Sequence, residues 1–594
     1  MMFSKYLNLA LITAISAHEA SKINAPASKN DSIAIVGAGV GGIYTAYRLK
    51  QLGYQDVTVF EKSNKVGGKM QSHWNSGHWT DIGTVYFVPG YDWVYKLCKD
   101  LNIPMYKYNL YGYYTALYNR IFYNFPEYDF TSIDDTVYEN KYDWIQNNLD
   151  YLNGIADRYE EMHSKAMSKS NPRVYQFPDL VDHEQMKLLG NTTFLEWVDG
   201  NGFNQMMPFL DYIMSFLFYA PTHTISAYYG LYWCTPIMLR SMITGATIQD
   251  RYKPAIGFNG LVEKMVVDQD IKVIYNAKIK KVIRRNKRSV GISFSTPAMS
   301  KRQTLEFDFL VSAIHPKYYE SGRKSGSGKT VVFKMTEQEQ NLLGDENWTT
   351  NRVSFTVVTA NNQNKNYFHA AYPIEVYRQD QLQAKNMYPK WHGAVCVSRK
   401  YGIAAKQAPL YWNSMLDEYT GKVDMTSVYA NYWNFDQKMS NDFVCYSTKF
   451  NVDIKTNGVA RHIKFNPELT KDVVQFTKGD VNVQETDVIE QYEREYFNRW
   501  TNENVALGKP VDLFNYNLNK SENDRNTWFV GAYASYESVG RVVDYIELLL
   551  ERSGLKERHQ GVVCDIDSEL IDDHEFEVPE ETWDMPSYMM NGMK

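Results

Sequence analysis

The chain has few cysteines, and none of them is arranged for chemistry. The five, Cys98, Cys234, Cys396, Cys445 and Cys564, form no C-x-x-C pair, so neither a zinc site nor a dithiol motif is indicated. In an oxidising compartment the odd count leaves at least one thiol unpaired or bridged to another molecule. Charge of one sign is also scarce. The net charge is −6 and no dense Lys/Arg stripe runs along the sequence, which argues against sequence-independent nucleic-acid binding. No apolar run reaches the ~18–20 uninterrupted residues of a membrane-spanning helix. Met206 to Ala220 is broken by Pro208 and Asp211, and Ile225 to Leu239, rich in Tyr, Trp and Leu, is no longer. Both read as buried core helices, some of whose residues could line an apolar pocket or an entrance at a membrane surface.

What is present begins at Ile33. Ile33-Ala34-Ile35-Val36 is followed by Gly37-Ala38-Gly39-Val40-Gly41-Gly42, a helical run, and then Val57-Thr58-Val59-Phe60-Glu61. Strand, glycine turn, helix, strand and acidic residue are the parts of a dinucleotide site in working order. Gly37 permits the tight turn, Gly39 lets backbone N–H groups approach a pyrophosphate, and Gly42 lets the helix pack close on the strand. The helix N-terminus adds positive partial charge beneath the phosphates. Glu61, about twenty residues past the last glycine, is placed to accept hydrogen bonds from ribose hydroxyls.

The residues after Glu61 narrow the nucleotide. Lys62-Ser63-Asn64-Lys65-Val66-Gly67-Gly68-Lys69 and then Trp79-Thr80-Asp81-Ile82-Gly83-Thr84 resemble the amine oxidase and phytoene desaturase superfamily of flavoproteins. The resemblance implies FAD. Gly67 and Gly68 would let backbone wrap the diphosphate and ribityl chain. Lys62 continues the motif, Lys69 would sit beside the phosphates and flavin, and Gly83 and Thr84 would bring backbone against the isoalloxazine ring. Farther along, the strand containing Ile279 resembles the one whose β-branched residue touches adenine. Phe307 to Pro316 resembles the returning strand of the nucleotide domain. Trp528 to Val539 resembles the closing strand, turn and helix, with Gly531, Ala532, Glu537, Ser538 and Val539 beside the flavin pyrimidine edge. Some members attach FAD through a Cys before that strand; Phe514 to Phe529 holds neither Cys nor His, so non-covalent FAD is expected.

The resemblance implies an α/β fold, a Rossmann-like FAD-binding domain interleaved with an α+β substrate-binding domain. The expected pieces are a secretory signal peptide (1–17), a linker (18–31), FAD-binding segments (32–90, 255–329 and 500–555), substrate-domain segments (91–254 and 330–499) and an acidic tail (556–594). Lys5, the apolar run Leu7 to Ala17 and a cleavage site after Ala17 in Ile15-Ser16-Ala17 carry the signal-peptide reading. With sequons at Asn30, Asn191, Asn347 and Asn519, they point to a secreted or secretory-lumen glycoprotein. Tyrosine is abundant, and the aromatic segment Tyr106 to Phe125 reads as packing or as the wall of a substrate channel.

No catalytic dyad stands out, as expected where a cofactor carries the chemistry. Where amine oxidases of the superfamily place a Lys near flavin N5, this chain offers Arg352 at the start of a strand, and no aromatic pair for an amine cage is evident beside Gly531. These departures favour the superfamily's hydrocarbon branches. The leading expectation is an oxidoreductase taking hydride from a C–H bond of a largely apolar substrate, a polyunsaturated lipid or isoprenoid among the candidates. Arg120, Arg251 or Lys69 would hold a carboxylate. The alternatives are an amine or amino-acid oxidase releasing hydrogen peroxide, and a non-catalytic flavin-binding interaction protein that uses the tail. Expected partners are thus small apolar or amine molecules, with peripheral membrane contact but no nucleic acid and no metal.

Overall fold

The computed structural model describes residues 24–75, 78–82, 84, 87–88, 90–108, 149–167, 183–203, 206, 210, 214, 219, 222, 225–244, 251–286, 289–320, 331–333, 335–359, 370–371, 391–398, 411–417, 422–423, 428–429, 442–449, 488–519 and 526–557. The fold is mixed α/β around a five-stranded, wholly parallel sheet. We number its strands and two principal helices β1 (Ile33–Val36), α1 (Val40–Gln51), β2 (Val57–Phe60), β3 (Lys272–Ile274), β4 (Phe309–Ser312), β5 (Thr527–Phe529) and α2 (Val539–Arg552). The spatial order is β5-β4-β1-β2-β3. Ile33 pairs with Phe309 on one side and with Val57 on the other, Leu310 with Thr527, and Thr58 with Lys272.

Every residue of β1, β2, β4 and β5 is buried. Their sequences are accordingly near-continuous apolar runs, the pattern of parallel strands covered on both faces. Helices α1 and α2 pack together, and a buried carboxylate joins them: Glu547 of α2 accepts a hydrogen bond from Tyr44 Oη of α1 at 2.7 Å and pairs with Arg48 and Lys556. The strand order reverses between β1 and β4. That reversal opens a crevice at the carboxyl ends of the two strands, where open α/β sheets bind ligands.

A second sheet lies against the first. Its strands Gln303–Phe307, Ser289–Ser295 and Lys278–Asn286 are antiparallel, and Val331–Phe333 joins parallel to Lys278–Asn286. Phe60 of β2 meets Phe294 and Phe307 of this sheet edge to face. A six-stranded antiparallel sheet is built from residues 348–359, 391–398, 411–417, 422–423, 442–449 and 488–500. Of the apolar stretches noted in the sequence, Ile225 to Leu239 forms the helix Ala227–Trp233, buried at every residue, and the start of Pro236–Thr244. Among the described residues no helix is long and apolar enough to cross a membrane.

The proposed signal peptide and most of the acidic tail lie outside the described residues. Residues 24–31, within the expected linker, run against β5: Asn24 N–H donates to Leu518 O at 2.6 Å, and Trp528 Nε1–H donates to Asn24 O at 2.7 Å.

Candidate functional site

Three glycine turns from distant parts of the chain converge on the crevice. The first follows β1. Gly37 has φ +101°, and a Cβ there would stand 2.7 Å from Ile314 Cγ2, while a Cβ on Gly42 would fall 1.9 Å from Gly37 O. Only glycine satisfies either position. Gly39 differs, because a Cβ there would meet only Gly68 Cα, at 3.8 Å. The space in front of Gly39 is therefore open, and its closest neighbour is itself a glycine. Gly39 is also the N-cap of α1, offers no capping side chain, and is followed by a first turn without an acidic residue. The helix N-terminus is left to an anion.

The second turn bridges to the first: Gly67 N–H donates to Ala38 O at 2.8 Å, and Gly39 and Gly67 form an isolated parallel bridge. The third turn approaches from β5. Gly531 lies so near α1 that a Cβ on Gly41 would stand 2.9 Å from Gly531 Cα. This cradle, open at Gly39 and closed elsewhere, fits the diphosphate of a dinucleotide.

Glu61 ends β2 and is 7% exposed. Its carboxylate accepts Ala38 N–H at 2.9 Å, and Ser63 N–H and Oγ–H at 2.8 Å each. It thereby ties the β2 turn to the β1 turn at the place expected for a ribose. Ala277 N–H donates to Glu61 O at 2.7 Å, which brings Ile279, two residues on and buried, to the same end of the crevice. Lys62 is exposed and lies over the Tyr318 ring, 5.6 Å from its centroid. Thr84 is half-buried. Gly83 and Arg120 lie outside the described residues. Arg251 begins a strand opposite Tyr108. Arg352 is the fifth residue of the strand Trp348–Thr359, opposite Glu495.

The far end of the crevice is assembled from segments the sequence does not connect. Lys69 Nζ donates to both oxygens of Glu537, at 2.8 and 2.6 Å. Glu537 Oε2 also accepts Phe497 N–H at 2.9 Å, and Glu537 O accepts Tyr219 Oη–H at 3.1 Å. Phe497 holds φ +50°, a costly conformation for a bulky residue. The Glu537 hydrogen bond and the surrounding rings fix it there. Ser538 occupies the N-cap position of α2 without a side-chain capping bond, its hydroxyl being hydrogen-bonded to Tyr91 Oη; Val539, the helix's first residue, is buried, and Ala532 is half-buried.

Around Tyr536 the rings of Tyr219, Phe497, Trp233, Tyr232 and Tyr229 pack with centroids 4.9, 4.7, 5.4, 5.4 and 6.1 Å away. Sequence reading found no aromatic pair for an amine cage beside Gly531, and the ring that lies against Gly531 is that of Tyr533. The cluster around Tyr536 is drawn from residues 219–233, 497 and 536. The rings contact one another directly, with Tyr536 and Phe497 at 1% and 0% exposure. His315, on the loop after β4, sits edge to face with Tyr533 and Trp348. Burial, then Lys317 and Lys69, hold its imidazole well below its ordinary pKa.

Cys98 and Cys234 are free and buried; burial pushes both thiols up, which makes them inert. Among the described residues no cluster of His, Cys, Asp or Glu could hold a metal. Of the sequons, Asn347 is 2% exposed, and its side chain bonds Asn341 O and Lys509 Nζ.

Comparison with known proteins agrees with this geometry. Residues 40–321 match the family model described as flavin containing amine oxidoreductase. A coproporphyrinogen III oxidase of Staphylococcus aureus is 40% identical over 73 residues, 12% of this chain and 16% of the relative. A 4,4'-diapophytoene desaturase (4,4'-diaponeurosporene-forming) of Staphylococcus haemolyticus is 48% identical over 65 residues, 11% of this chain and 12% of the relative. The chain thus spans less than a fifth of the length of these curated relatives. In overall fold it is similar to a CLA-producing fatty acid isomerase from P. acnes, with a TM-score of 0.57 and 15% identity, covering 89% of this chain and 99% of that one.

Proposed function

We propose that the chain is an oxidoreductase of the flavin containing amine oxidoreductase family, whose model residues 40–321 match, that it binds FAD non-covalently, and that it acts on a C–H bond of a largely apolar, polyunsaturated substrate. The observation that supports this most is the crevice itself: three glycine turns around an open Gly39, with Glu61 at one end and an aromatic wall at the other. Bound there, a flavin would supply a hydride acceptor for that C–H bond.

The chain's own residues hold the cofactor and shape its surroundings. Glu61 accepts from the ribose, and the α1 N-terminus and Lys69 face the phosphates. The rings of Tyr219, Trp233, Phe497 and Tyr536 exclude water from the flavin end. The likeness in overall fold to a fatty acid isomerase prompts the choice of a fatty acid as the first substrate to test. In this reading residues 91–254 and 330–499 form the substrate-binding part. The N-terminal 17 residues direct the chain to the secretory pathway; glycans there would be carried by Asn30, Asn191 and Asn519, which are exposed, rather than by Asn347.

Anaerobic titration of the flavin-loaded chain with linoleic acid, and separately with putrescine, tests the proposal. Bleaching of the flavin by linoleic acid, or a product with shifted double bonds, is the expected result. Bleaching by putrescine alone, with peroxide on readmission of air, would replace it with amine oxidation.

A further inference from the structure

The rim beside Glu61 is basic, aromatic and exposed. Glu61 N–H donates to Ile274 O at 3.0 Å, Ala277 N–H to Glu61 O at 2.7 Å, and Asn276 N–H to Ser63 O at 2.9 Å, so residues 61–63 and 274–277 form one edge. The turn Pro316–Tyr318 joins it: the Tyr318 ring centroid lies 5.6 Å from Lys62 Nζ and 5.1 Å from Lys317 Nζ. Lys62, Lys65 and Lys278 are exposed. Tyr275 and Tyr318 are large rings left 38% and 39% exposed.

This rim runs against the charge of the molecule, which is −6 overall. Across residues 61–65, 274–278 and 315–318 the one acidic side chain is Glu61, and its buried carboxylate is taken up by Ala38 and Ser63. From the adjoining helix Gly257–Asp268, Glu263 lies near Lys65. A basic surface carrying exposed rings suits a partner that alternates carboxylates with apolar side chains.

The same chain carries such a partner. Between Asp565 and Glu577 carboxylates are interspersed with Ile566, Leu570, Ile571 and Phe576, and neither Lys nor Arg occurs. After α2 the chain turns back on itself: Gly554 holds φ +71°, and Leu555 N–H donates to Leu550 O at 3.1 Å. Lys556 then meets Glu547 and the Trp93 ring, so the chain has returned along α2, whose first residue stands at the crevice. Asp565 follows Glu557 by eight residues, which reach up to about 28 Å when extended. Helix α1 packs between α2 and the helix Gly257–Asp268, and packed helices lie about 8–10 Å apart. The acidic segment is therefore within reach of Lys65 and of the rim beyond it.

We propose that residues 565–577 dock on the rim formed by Lys62, Lys65, Lys278, Tyr275 and Tyr318 of the same chain, an autoinhibitory contact that lays negative charge beside the ribose end of the crevice. The docking stands apart from the FAD reading; its effect on an anionic nucleotide rests on that reading.

Carbodiimide cross-linking of the full-length chain, which joins carboxylates to lysines in contact, tests the docking when read by mass spectrometry on a mixture of isotopically light and heavy chains. Links from 565–577 to Lys62, Lys65 or Lys278 within one chain are expected at low ionic strength, and their loss is expected at high ionic strength. No links from the segment, links to lysines elsewhere, or links only between light and heavy chains would overturn it. The effect is read in a full-length variant with every Asp of 565–577 changed to Asn and every Glu to Gln. It is expected to bind ADP severalfold more tightly than the wild type at low ionic strength and equally at high ionic strength. Equal ADP affinity at low ionic strength would overturn the autoinhibitory role. If neither chain binds ADP or FAD, the cofactor reading fails, and the cross-links still decide the docking.

Discussion

The two ends of the crevice are built in different ways. The end past β1 and β2 is nearly local: Glu61 reaches Ala38, 23 residues away, and Ser63, two residues away, and the glycine turn closes on its own helix. The end past β4 and β5 is pooled across the chain. Lys69 meets Glu537 over 468 residues and Tyr219 meets Glu537 over 318, with Phe497 and His315 from two further segments. The local end depends on backbone shape, which tolerates almost no substitution. The pooled end depends on side chains and on a few hydrogen bonds, each replaceable at modest cost. Binding a common cofactor half calls for the first arrangement, and adapting to a substrate calls for the second.

The largest expected effect breaks the local end. Gly42→Ala sets a Cβ against Gly37 O, a clash no rotamer relieves, and should lower stability by about 3 kcal/mol or more; thermal unfolding and flavin content per chain would both fall. Next comes the bond that ties the two ends through α1 and α2. Glu547→Gln leaves Arg48 and Lys556 without their buried partner and should cost about 3 kcal/mol. This variant also has a pH signature. Burial raises the Glu547 carboxyl pKa, but Arg48 and Lys556 outweigh it and hold it below the usual 4.5. The stability from the ionised group is therefore complete above about pH 4.5 and is lost as pH falls through the lower folded value. Denaturant midpoints should drop in acid for the wild type and change less for Glu547→Gln.

A smaller change sharpens the contrast. Glu61→Gln removes the charge that accepts Ala38 and Ser63 and should weaken FAD and ADP alike, by about tenfold each. The smallest effect is expected at Glu537→Gln. Lys69 is 39% exposed, so the pair is screened and its loss should cost no more than about 1 kcal/mol. Removing one negative charge beside the phosphates should instead steepen the salt dependence of FAD binding, readable from titrations at several ionic strengths.

The same division decided what could be read from the sequence. β1, α1, β2 and their glycines were legible because strand, turn and helix signals lie within thirty contiguous residues and Gly37 and Gly42 have a steric reason. The α/β fold was implied by the resemblance, and its short, largely apolar strands form the parallel sheet. Glu61 was legible through its spacing. The Lys69–Glu537 pair was not: both residues were named for the cofactor, yet nothing in the sequence shows that they meet. The aromatic segment Tyr106–Phe125 lies, past Tyr108, outside the described residues; the rings around Tyr536 come from residues 219–233 and 497, whose proximity exists only after folding. His315 lay in plain view at the end of a recognised strand. Its burial against Trp348 and Tyr533 is something no periodicity reveals.

The visible spectrum of the purified full-length chain after incubation with FAD and removal of the excess, with the released cofactor identified by chromatography, tests the central claim most directly. The account predicts a flavin band with one FAD per chain, released intact on denaturation. A chain that is folded by its thermal transition and retains no flavin would contradict it.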